Sequence, residues 1–132
     1  YPNYSLIFVG PDNGMKNELI LESKKVGISS KVKFIGYVDG ELKSMLYHAA
    51  DLLVIPSRSE AMSIVVLESA ITATPVLMTN SCGLEEMTGE NGAISVNPDI
   101  SSITEGNFPS RIILSFFTLM SAIGTADKSA SV

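Results

Sequence analysis

The chain has 132 residues and a mass of 14.1 kDa, with 45% hydrophobic and 17% charged residues, a composition that fits one packed domain and argues against extended disorder. Fourteen acidic residues against nine basic give a formal net charge of -5, and no basic run exceeds the pair Lys24 and Lys25, which excludes a surface that tracks nucleic-acid phosphates. The lone cysteine, Cys82, excludes an internal disulfide and points to a reducing, cytoplasmic setting; with one histidine in the chain, no Cys/His cluster is available for an ordinary zinc site.

Five short apolar, partly β-branched runs read as strands in chain order: SLIFV (5–9), VKFIG (32–36), DLLVIP (51–56), PVLMT (75–79) and AISV (93–96). Helix-period stretches lie between them. Met15, Leu19, Glu22 and Val26 mark one that runs up to Gly27, a C-cap candidate, and Leu42, Met45, Leu46 and Ala49 mark another after Asp39, an N-cap candidate. Alternating strand and helix predict an α/β fold, a Rossmann-like doubly wound parallel sheet. Ligands of such sheets sit at the carboxyl ends of the strands, where GPDNG, GYVDG, PSRSEAMS and TNSCG follow the first four runs.

After Pro98 the character changes, and 1–98 is read apart from 99–132. Residues 99–110 have loop composition, Pro109 suits the first turn of a helix, and the apolar run 112–123 predicts an apolar helix over about 109–123, followed by a disordered tail. Twelve residues are too few to cross a bilayer, which takes roughly 18 to 20. The chain opens on Tyr1 and enters a strand pattern within five residues, with no charged and apolar leader, so it reads as a piece of something longer.

The stretch SEAMSIVVLESAITATPVL (59–77) places Glu60 and Glu68 eight positions apart. On one helix that separation is roughly 12 Å, beyond the roughly 5 to 9.5 Å at which two carboxylates flank one glycosidic bond. With Glu60 in a loop and Glu68 in the second helical turn, a helix N-terminus falls between them and favours a phosphate there. An extended ligand with hydroxyls at both ends and anionic charge in the middle fits, and a nucleoside diphosphate sugar has that layout. The plainer reading stands beside it: Ser57 and Glu60 match the S-x-x-E capping box, and Glu68 is a solvated residue.

The segment AADLLVIPSRSEAMSIVVLESAITATPVL resembles the carboxyl-terminal donor-binding domain of retaining GT-B glycosyltransferases, specifically glycosyltransferase family 4, also called glycosyl transferases group 1. Ala50, Asp51, Pro56, Ser57, Glu60, Glu68, Pro75 and Val76 match the family pattern in register. LIFVGPDNG, VKFIGYVDGELKSMLYHAADLL and SCGLEEMTGENGAISVNP extend the likeness over about residues 4–99. The resemblance implies a transferase that binds a nucleotide-diphosphate sugar donor and transfers the glycosyl group, with retention, to an unidentified acceptor such as a sugar, a lipid-linked glycan or a small molecule. No metal or other cofactor is expected, and no transmembrane segment; any membrane association belongs to a part outside this chain.

By position, Glu60 is implied as the catalytic residue on the transferred sugar's hydroxyls, and Ala61, Met62, Ser63 and Ile64 as the lining of sugar and phosphate. Glu68 is implied on the ribose, Gly10 in a loop facing the cleft, and Ile35, Gly36, Tyr37 and Val38 beside the nucleobase. Gly83 and Glu86 are implied at the donor's far rim. Ala61, Ser63 and Ala73 stand where the family usually has glycine. A non-catalytic α/β module that keeps the fold without donor binding is the alternative reading. The family's phosphate-neutralising Arg and Lys, its acceptor-binding amino-terminal domain and its first strand are expected ahead of Tyr1. That strand belongs at the centre of the sheet, between 5–9 and 51–56, and its absence is expected to leave two unpaired edges or to force direct pairing, with association and an inactive fragment as the consequence.

Overall fold

The computed structural model describes residues 4–58, 62–88, 93–97, 99 and 111–115. Among these, β1 (Ser5–Val9), β2 (Val32–Gly36), β3 (Leu52–Ile55), β4 (Val76–Thr79), β5 (Ala93–Val96) and β6 (Arg111–Ser115) form one sheet in the order β2-β1-β6-β3-β4-β5. Every pairing is parallel. The helices are α1 (Lys16–Lys25), α2 (Gly40–Ala49) and α3 (Ile64–Ile71), with short 3-10 turns at Ser29–Lys31 and Glu85–Met87. The five expected strands form within a residue or two of their expected ends, and the α/β doubly wound arrangement is as expected.

Strands β3 and β4 are buried at every position because both faces of a parallel sheet are covered. Leu53 and Ile55 point to one face and join Tyr47 of α2 and Val66 of α3, while Leu52 and Val54 point to the other and meet Leu77. Each such side chain contributes roughly 1.5 to 3 kcal/mol on burial. In β1, Ile7 and Val9 pack on the α2/α3 side. Phe8 faces the opposite way and stacks on Phe34 at 5.0 Å, with Lys16 at the start of α1 lying 5.8 Å over the Phe34 ring. Helices α2 and α3 therefore cover one face and α1 the other, as right-handed crossovers require.

Gly27 ends α1 as expected. It takes a φ of 74°, and its N–H and that of Ile28 donate to the carbonyls of Lys24 (3.1 Å) and Ser23 (2.9 Å). Asp39 is the N-cap of α2, in extended conformation and without a side-chain cap bond.

The helix expected over about 109–123 is corrected at residues 111–115, which form a strand inside the sheet. Ser5 through Val9 pair with Arg111 through Ser115 on one side, and Leu52 through Val54 pair with Ile112 through Leu114 on the other. The two alternatives expected for an empty centre, unpaired edges or direct β1–β3 pairing, are corrected with it: β6 occupies the slot. The physical reason is backbone satisfaction. Two facing strand edges buried without a partner leave N–H and C=O groups unbonded, and a central strand resolves both edges at once. Arg111–Ser115 thus shares a sheet with the strands of 1–98. The rest of the expected helix and the expected disordered tail lie outside the described residues. No helix among the described residues is long and apolar enough to cross a membrane.

Candidate functional site

The carboxyl ends of β1 and β2 open on a cavity of about 180 Å³ lined by Val9, Gly10, Pro11, Tyr37, Val38, Lys43, Leu46, Tyr47, Leu53 of β3 and Val65. Gly10, in the lining, is held by a second glycine, Gly36. Gly10 has a φ of 129° and Gly36 a φ of 85°, and the Gly10 N–H donates to the Gly36 carbonyl at 2.8 Å. An added Cβ at Gly36 would meet nothing within 4 Å, so it is the left-handed backbone, not space, that favours glycine there. Tyr37 follows with 72% of its surface exposed, beside a predominantly aliphatic wall.

Lys43 and Tyr47, one turn apart on α2, reach from this wall to Glu68 in the second turn of α3. The Lys43 ammonium donates to Glu68 Oε1 at 2.7 Å and lies 2.5 Å from Oε2, and the Tyr47 hydroxyl donates to Oε2 at 2.8 Å. The Lys43 and Glu68 side chains are 34% and 33% exposed, so the cluster sits at the cavity's solvent edge. Burial by itself pushes the Glu68 carboxyl up; the hydrogen bonds from Lys43 and Tyr47 and the lysine's charge outweigh it and hold the carboxyl below its usual range. Burial, followed by the bond to Glu68 and its charge, pushes the Tyr47 phenol well above its usual range, so it remains a donor.

The N-terminus of α3 adjoins the cavity through Val65. Its N-cap is Ser63, not Ser57, so the capping box expected at Ser57 and Glu60 is not how α3 starts. Ser63 is fully buried, and among the described residues its hydroxyl makes no side-chain cap bond and has no hydrogen-bond partner. Its N–H donates to the Cys82 carbonyl at 3.3 Å, and its carbonyl accepts from Val66 at 3.1 Å. Thr79 donates to the Ser57 carbonyl, and Cys82 packs in the core.

Of the residues singled out in sequence, Gly10, Tyr37 and Val38 line the cavity, and Glu68 is bound to two of its lining residues. Gly36 lies behind the rim, while Met62, Ile64 and Ile35 carry exposed side chains and do not line it. Glu60 and Ala61 lie outside the described residues. Lys43 and Tyr47 were missed, although their i, i+4 spacing on the second predicted helix is the signal that puts both on one face. Among the described residues no group of three or more His, Cys, Asp or Glu is placed to hold a metal ion.

Residues 1–106 match the profile of the family described as Glycosyl transferases group 1. The chain belongs to that family. Among relatives of this group 1 domain, an uncharacterized glycosyltransferase of Methanocaldococcus jannaschii is 36% identical over 85 residues, covering 64% of this chain and 22% of the relative. The lipopolysaccharide glucosyltransferase WaaG of Escherichia coli K12 is 41% identical over 81 residues, covering 61% and 21%. A solved sucrose-phosphate synthase from Thermosynechococcus elongatus superposes with a TM-score of 0.68 at 25% identity, over 76% of this chain and 27% of that one. The group 1 domain spans about a quarter of the length of the curated relatives it matches.

Proposed function

We propose that the chain is the donor-binding part of a retaining glycosyltransferase of family 4, taking a nucleotide-diphosphate sugar whose glycosyl group passes to an acceptor held by another domain. The observation that carries the reading is Glu68: an ionised carboxylate held at the edge of an apolar cavity, at the carboxyl edge of a parallel sheet and in the second turn of the helix whose start adjoins that cavity. The cavity between Gly10, Tyr37 and Val38 suits a planar base, Glu68 the ribose hydroxyls, and the α3 N-terminus the diphosphate. Relatives named as a D-inositol 3-phosphate glycosyltransferase and a lipopolysaccharide glucosyltransferase support the class of reaction. No metal is needed on this reading, because backbone N–H groups and cations supplied by another part of the intact enzyme would neutralise the leaving diphosphate, and positioning with electrostatics would carry the catalysis. For the same reason the chain alone is expected to transfer no sugar.

Substitution of the two glutamates in the intact enzyme tests the assignment. Glu60→Ala is expected to lower kcat by about a hundredfold with little change in KM, because it removes contacts at the reacting sugar, and Glu68→Ala to raise the donor KM about tenfold. Wild-type kinetics in both variants would remove the assignment and leave the non-catalytic module as the reading.

A further inference from the structure

We propose that Lys43, aimed together with Glu68 by Tyr47, makes this site select a vicinal diol, so that a ribonucleotide is taken and its 2′-deoxy counterpart is refused; this rests on the donor-site reading above. A carboxylate offers about four lone-pair positions and a lysine ammonium three N–H donors. At Glu68, Oε2 receives both the Tyr47 hydroxyl and the ammonium, whereas Oε1 receives the ammonium alone. Among the described residues that leaves one acceptor position on Oε1 and one N–H on Lys43, side by side on groups that are each about a third exposed.

An acceptor next to a donor is the complement of two neighbouring hydroxyls. One hydroxyl donates to Oε1, and the oxygen of the other accepts from the lysine. A single hydroxyl satisfies one of the two, and the other charged group then loses water without a replacement bond. Tyr47 is a positioning residue in this arrangement. Its hydroxyl fills Oε2, so the free position falls on Oε1, and its ring is buried in the core beside Leu53 and Val66, which fixes where that hydroxyl sits. An ion pair that served only to pin α2 on α3 would carry no such selectivity.

The test compares dissociation constants for ribo- and 2′-deoxyribonucleoside diphosphates, using whichever of UDP, GDP and ADP binds the wild-type chain most tightly. Wild type is expected to prefer the ribonucleotide at least tenfold. Lys43→Met is expected to reduce that preference below about threefold, and Tyr47→Phe to reduce it several-fold, with the loss of affinity in either variant larger for the ribonucleotide than for its 2′-deoxy counterpart. Thermal melting establishes that each variant is folded, and the nearly isosteric Tyr47→Phe decides the matter if Lys43→Met does not fold. A wild-type preference that survives in the folded variants, or a wild type that binds both nucleotides equally, overturns the inference while leaving donor binding intact. Binding of none of the three nucleotides overturns the donor-site reading and this inference together.

Discussion

Ala73 and Glu68 show how much one position carries. Helix α3 ends in the same hydrogen-bonded arrangement as α1: the N–H groups of Ala73 and Thr74 donate to the carbonyls of Ala70 (3.2 Å) and Ser69 (3.0 Å). At the equivalent place α1 has Gly27, and α3 has an alanine at a φ of 54°. A Cβ in that region costs roughly 1 to 2 kcal/mol, partly offset by the greater freedom glycine has in the unfolded chain. Ala73→Gly is therefore expected to stabilise the domain by about 1 kcal/mol, read as a higher urea midpoint; a lower midpoint would contradict this account of the cap. Glu68 makes a pH-dependent contribution whose sign follows from its lowered folded pKa. The contribution is fully present above the ordinary carboxylate pKa and is lost as pH falls through the folded value. Glu68→Gln should accordingly flatten the acid limb of melting temperature against pH, at and below the ordinary carboxylate range, with a small amplitude because the group is a third exposed. An unchanged acid limb in the variant would show that the Lys43 and Tyr47 contacts do not hold the carboxylate in solution.

Among the elements, strands bounded by turn residues were legible because β-branched runs between Gly, Pro, Asn and Asp leave little alternative. The second helix was legible in place but not in orientation. Its apolar positions Leu42 and Met45 are exposed, and the inward face carries Lys43, Leu46 and Tyr47, because a polar cluster with Glu68 and an aromatic body outweighed a simple apolar count. Strand β6 was not legible. An apolar run of this length fits a buried helix or a central strand equally by periodicity, and its pairing depends on β1 and β3, more than 50 residues upstream. The central slot itself followed from the family likeness; its occupant did not. Ile113→Pro removes an N–H from a strand paired on both sides, a position where proline is essentially not found, and should lower the urea midpoint. Amide hydrogen exchange gives the second readout: the N–H groups of residues 112–114 should be protected comparably to those of β3. Fast exchange there, with an unchanged urea midpoint for Ile113→Pro, would contradict the six-stranded sheet.

At the scale of the whole molecule, the sheet order brings Gly10, Tyr37, Val38 and the start of α3 to one edge although they lie far apart in sequence. Sequence placed these loops at the carboxyl edge through the alternation of strand and helix, and Glu68 through the family pattern. It did not reveal that Glu68 is anchored across α2, because that contact spans 21 and 25 residues and depends on how two helices pack on the same face. The central claim is that this edge takes a nucleoside diphosphate, and the most direct measurement is a map of amide chemical shifts for the isotope-labelled chain titrated with UDP, GDP and ADP. With its phosphate cations expected elsewhere, the chain should bind at least one of the three with a Kd of about 1 mM or tighter, equivalent to roughly 4 kcal/mol. The amides of Gly10, Tyr37, Val38 and Val65 should move together, and those of Ser5, Val32 and Leu52 at the opposite edge should stay still. Shifts confined to the opposite edge, or none with any nucleotide, would contradict the claim.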